Sequence, residues 1–141
     1  MRNRPLILLA IISLSSYQLN WFGDIDLGSG FYYLVEPAFN SIVIPVNPNE
    51  TYKSSIYIIK DIESVGFNKK HILVTSKDGA EMKYWLIDKN EKTKKLGFKE
   101  NSIMELSNAS EIDSAKFSHV MISENIELKT KAEYRKDLNY E

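Results

Sequence analysis

Cysteine is absent from the 141-residue chain. Its absence excludes disulfide staples, thiolate zinc sites, a cysteine nucleophile and a lipidated N-terminal cysteine. Charge of one sign is also missing: 18 basic and 19 acidic side chains leave a formal balance of −1. A nucleic-acid binder without a localised patch would be clearly basic, so nucleic acid is not an expected partner. Histidine occurs twice, at His71 and His119, and neither lies in a metal- or nucleophile-bearing motif. Four prolines and six glycines leave room for long regular elements. Leu, Ile, Val and Phe number 41, about 29% of the chain and enough for a packed core. The length suits one domain.

What is present begins with an export-like start. Met1-Arg2-Asn3-Arg4 is short and basic, and Pro5 to Leu14 is almost purely apolar. Ser13-Leu14-Ser15 then supplies a small-x-small site at which a signal peptidase could cut, leaving Ser16 or Tyr17 first. The apolar run partitions into the membrane while the arginines hold the start on the cytoplasmic side. Residues 1–15 therefore read as a signal peptide and 16–141 as one domain on the outer side of the membrane. No charge occurs from Pro5 to Gly23, so a retained anchor is the alternative, but Ser15, Ser16, Gln18 and Asn20 dilute its second half. Removing 1–15 leaves 16 basic and 19 acidic side chains, a balance of −3.

Period-two patterning dominates the rest. Phe31 to Val35, Ile42 to Val46, Ile56 to Ile59, Ile62 to Phe67, Ile72 to Ser76, Met82 to Ile87 and His119 to Ser123 read as strands. Pro45 demotes the second to an edge or a bulged end. Asp78-Gly79 marks a hairpin, and Asn47-Pro48-Asn49-Glu50 a turn. Within Met82 to Ile87, Tyr84 and Leu86 fall on one face and Trp85 and Ile87 on the other, which predicts a central strand covered on both sides. Asp88 to Lys95 reads as a solvated turn. Thr130 and Glu133 form a capping-box pair that predicts a C-terminal helix over Lys131 to Leu138. Ser110 to Phe117 is a weaker helical signal. The fold expected is α+β, an antiparallel β meander of about five to seven strands with a C-terminal helix packed on it, or a small barrel or sandwich.

Three pieces carry a resemblance: Gly23-Asp24-Ile25-Asp26-Leu27-Gly28, the pair Ile62 to Asn68 with Lys83-Tyr84-Trp85-Leu86-Ile87-Asp88-Lys89, and Glu127 to Tyr134. Their order resembles a family of small exported proteins common in Bacteroidota and without an assigned activity, many of them lipoprotein-like. The resemblance spans most of 22–138 and its motifs look structural. Ser15 and Ser16 stand where a lipoprotein's acylated cysteine would be, so no lipid anchor is implied here.

Chemistry-bearing patterns are sparse. Asp24-x-Asp26-x-Gly28-x-Gly30 has calcium-loop character, but Ser29 and Val35 stand where glycine and a bidentate acid are wanted. The simpler reading is a strand with Ile25 and Leu27 inward and both aspartates outward. Gly28-Ser29-Gly30 lacks the third glycine of a phosphate loop. Lys89, Lys92, Lys94, Lys95 and Lys99 form a basic cluster with only Phe98 beside it, which reads as a solvated turn. No Gly-x-Ser-x-Gly elbow occurs, and no cofactor is expected. Aromatics are the richest feature. Tyr32, Tyr33 and Trp85 form the candidate interaction surface if they share an exposed face. The expected role is a non-enzymatic binding domain for a protein of the cell envelope. A periplasmic immunity protein that neutralises a toxin is the alternative, and a hydrolase the third reading. Membrane contact is expected only through an uncleaved leader.

Overall fold

The structure, a computed structural model, describes residues 24–47 and 54–139. The leader, the Trp21-Phe22 pair and most of the Asn47–Glu50 turn lie outside the described residues. The first sheet is an antiparallel run of β1 (Asp24–Gly28), β2 (Phe31–Leu34), β3 (Ser41–Pro45) and β4 (Ser55–Lys60), in that order. The second holds β5 (Ile62–Phe67), β6 (His71–Asp78), β7 (Glu81–Asp88) and β10 (Ala109–Ile112), ordered β10-β7-β6-β5. Between them β8 (Lys95–Phe98) and β9 (Met104–Leu106) pair as a two-stranded ribbon. Helix α1 spans Ser114–Ser123 and α2 spans Lys131–Asp137.

The fold is thus mixed, with antiparallel sheets of four, four and two strands in place of one continuous meander. The break falls at Asp61. Its φ of 55° turns the chain sharply between β4 and β5, and its carbonyl accepts from Lys77 N at the end of β6. A left-handed residue between two apolar strands sends the second into a new sheet. The inner faces of both sheets then share one core, which includes Phe31, Tyr33, Ile42, Val65, Val74 and Ile87.

The hairpin signal at Asp78-Gly79 is realised as a two-residue loop, Gly79-Ala80, between the paired Asp78 and Glu81. Gly79 takes a φ of 63°, the left-handed value that such a loop wants at its first central position. Strand β7 is central and covered on both faces, as its double apolar pattern predicts: Trp85 and Ile87 meet the main core, Tyr84 and Leu86 a second cluster around Leu73, Phe117 and Ile126. Pro45 is not on an edge strand, because β3 lies between β2 and β4. It sits past the last β2 pairing, Tyr32 with Val43, and faces only Ser55 of β4.

His119 to Ser123 is helical, not extended. Asp113 caps α1 by accepting from Lys116 N at 2.7 Å, and Phe117, Val120 and Met121 recur at helical spacing on the face turned to the second cluster. Helix α2 begins where the capping box places it, with Thr130 Oγ1 accepting from Glu133 N at 3.3 Å. Seven residues make a marginal helix alone, so packing must hold it. Tyr134 does so: its ring meets Tyr33 edge-on at 5.7 Å, and its hydroxyl donates to Val65 O at 2.9 Å.

Lys129 pairs with Val65 through two backbone hydrogen bonds of 2.9 Å, so the C-terminal segment lies along the free edge of β5. Gly66 is what lets it approach. A Cβ there would stand 2.5 Å from Glu127 O and 2.7 Å from Ile126 Cγ2. Gly66→Ala is expected to cost about 2 kcal/mol, a fall in melting temperature on the order of 10 °C. A thermal melt that does not move would show that the segment does not rest on β5.

Candidate functional site

Among the described residues an open groove of about 650 Å³ lies where β4 faces β6, β7 and β10. Its apolar lining is Ile58, Ile59, Trp85 and Ile103. A smaller recess of about 200 Å³ continues it over Met104 and Leu106, again against Trp85 and Ile58. Trp85 is positioned from two sides. Its ring packs against the main core while its indole Nε1 donates to Ser76 Oγ on β6 at 2.9 Å. The outer wall is the short 3-10 turn Glu100–Ser102 between β8 and β9, held by Lys60 Nζ donating to Asn101 O at 3.0 Å. A single parallel bridge, Tyr57 with Ile103, ties that wall to β4.

The groove's rim carries both signs. Lys60, Lys77, Lys83 and Lys99 line it together with Asp61, Asp78, Glu100 and Glu111. Lys83 lies between two of the acids, 3.6 Å from Asp78 and 3.8 Å from Glu111. Four cations against four anions produce no strong field of either sign, so the groove does not concentrate an ionic ligand. Its chemistry is that of an apolar floor under an amphoteric rim, able to seat an apolar side chain while the rim bonds to amides.

Of the three aromatics proposed as an interaction surface, only Trp85 belongs to this groove, and of the basic cluster only Lys99 reaches its rim. Tyr33 is fully buried, its hydroxyl donating to Asn40 Oδ1 at 2.7 Å. Tyr32, its neighbour on the strand, points to the opposite face and is half-buried opposite Val43. The three do not share one exposed face. The groove's other residues come from five separated stretches of chain, and no local pattern joins them.

The remaining candidates are placed as follows. Asp26 Oδ1 accepts from Gly28 N at 2.9 Å, closing a turn on itself. Among the described residues no group of three His, Asp or Glu side chains converges as a metal cage would require. His71 is paired through Nδ1 with Glu124 at 2.7 Å, and Asn68 Nδ2 donates to the same carboxylate at 3.1 Å, so the end of α1 is clamped to the β5–β6 turn. Burial pushes the Glu124 carboxyl up, but the hydrogen bonds from Asn68 and His71 and the charges of His71 and Lys70 outweigh it and leave it below its ordinary range. His119 is exposed on α1, away from that clamp. Lys89 is a joint between the sheets. Its Nζ donates to Leu27 O at 2.6 Å and lies 5.5 Å from the Phe67 ring centre, and burial lowers its pKa against the pull of Asp26.

Comparison with protein-family models, with curated proteins and with solved structures finds no match to the chain.

Asp24 departs from the expected outward position. It is 6% exposed at the start of β1, and its pKa is pushed up to about 6, first by burial and then by the charge of Glu36. A carboxyl raised above its unfolded value destabilises the fold when ionised. The penalty is absent below about pH 4, grows between pH 4 and 6, and is complete above that. Asp24→Asn is therefore expected to match the parent near pH 4 and to be more stable at pH 7, by on the order of 1 kcal/mol. Denaturant melts at the two pH values check this. Equal differences at both would place the ionised carboxylate in water.

Proposed function

We propose that this chain is a non-enzymatic binding module of the cell envelope, and that the groove over Trp85 takes a segment of a partner protein. The groove is the observation that supports this reading. It combines a half-exposed tryptophan anchored by Ser76, flanking isoleucines and a rim of balanced charge. Buried aromatic anchors surrounded by polar rims dominate the energetics of protein recognition. An extended segment with one apolar side chain would fill the floor over Trp85 and Ile58, and its backbone amides would meet the lysines and carboxylates of the rim.

The export-like pattern of residues 1–15 in the sequence is what supports the envelope as the place of action. A toxin-neutralising role would draw support from an acidic face able to cover a basic site. The rim holds as many lysines as carboxylates, so the more general reading is preferred.

Photo-crosslinking from the full chain in its own cells tests the proposal. A benzophenone side chain at Asn101 or Glu111 is expected to yield one discrete protein adduct. The same group at Lys116, on the solvent side of α1, is expected to yield none. No adduct from the groove positions, or the same adduct from Lys116, would remove the groove as the binding site.

A further inference from the structure

We infer that the β8 strand and the turn before it form a second surface, one that rests on an anionic lipid bilayer. The run from Glu91 to Glu100 is exposed at every residue. Within it Leu96 and Phe98 are 59% and 67% exposed, Leu96 at the register shift between Lys95 and Gly97 and Phe98 paired with Met104. Lys92, Lys94 and Lys95 precede them, and no ion pair joins these three to another described residue.

The backbone under these side chains is fixed. Buried Asn108 donates through Nδ2 to Asp88 O at 2.8 Å and to Thr93 Oγ1 at 3.0 Å. Lys94 N donates to Ser107 Oγ at 2.9 Å, and Ser107 Oγ donates to Lys92 O at 3.2 Å. Three cations and two apolar side chains are thus held on one short ribbon with little ordering left to do on binding.

That pairing selects the partner. Lysines near a negatively charged membrane gain from headgroup phosphates, while Leu and Phe side chains gain by entering the boundary with the acyl chains. A single-stranded nucleic acid would use the lysines but wants a row of stacking aromatics, and Phe98 is the lone aromatic of the ribbon. Such a contact is weak and reversible with two apolar side chains. It is independent of the groove, so either assignment can fail without the other.

The absence of cysteine makes the test direct. Leu96→Cys in the full chain takes a single environment-sensitive fluorophore, and Lys116→Cys on α1 serves as the control. With vesicles of phosphatidylglycerol mixed into phosphatidylcholine, the label at 96 is expected to shift to the blue and brighten. The label at 116 is expected to stay unchanged. Replacing Lys92, Lys94 and Lys95 together by glutamate is expected to weaken the effect on the order of a hundredfold. No shift at 96, an equal shift on pure phosphatidylcholine, or an equal response at 116 would overturn the assignment. A larger response to single-stranded DNA than to the vesicles would overturn it in favour of nucleic acid.

Discussion

The backbone of Val65 is the point on which the two sheets are joined. Strand β5 is an edge of the second sheet, and an edge strand carries N–H and C=O groups that need partners once covered. The C-terminal segment supplies them. Lys129 exchanges both backbone bonds with Val65, and the Tyr134 hydroxyl adds a second donor to the Val65 carbonyl. The same tyrosine ring lies edge-on against Tyr33 of the first sheet. From α2, Arg135 donates to Val35 O and Lys131 to Phe39 O, both at 2.6 Å and both on the first sheet's side. The C-terminal segment thus holds both sheets, and the close approach of its Ile126 and Glu127 explains why residue 66 has no side chain.

Closing one seam leaves the other open. Lys89 and α2 fill the gap near β1 and β5, but along the opposite seam β4 faces β7 and β10 with only β9 and the Glu100–Ser102 turn between. The groove over Trp85 is that unfilled seam. Its floor is core surface that neither of the described helices covers, and its rim is a set of charged residues from the strands and turns around it. The core and the groove therefore share residues: Trp85 and Ile58 serve the core on one flank and line the groove on the other.

Local physics made much of this legible in the sequence. Period-two alternation located β5, β6 and β7, and the double apolar pattern of β7 correctly implied cover on both faces. The Thr130–Glu133 cap located α2 to within a residue. Where residue type and spacing conflict, spacing decides the structure. Val120, Met121 and Ile122 resemble a strand, yet the Asp113 cap and the 117, 120, 121 spacing set a helix. Tyr32 and Tyr33 look like one aromatic patch, yet neighbours on a strand must point apart. The lysines of ribbon β8–β9 mask its alternation, and the groove is assembled from distant stretches that no local pattern joins. Short stretches far apart in the chain meet as joints: Leu27 and Gly28 meet Lys89, and Val65 meets Lys129 and Tyr134.

Native-state hydrogen exchange under rising denaturant tests the joining of the sheets most directly. If the C-terminal segment locks them together, the amides of Tyr33 and Ile42 in the first sheet and of Val65 and Val74 in the second converge on one opening transition. Exchange of the first sheet at distinctly lower denaturant, with the second still protected, would show that each sheet opens alone and that the Val65 joint does not govern the fold.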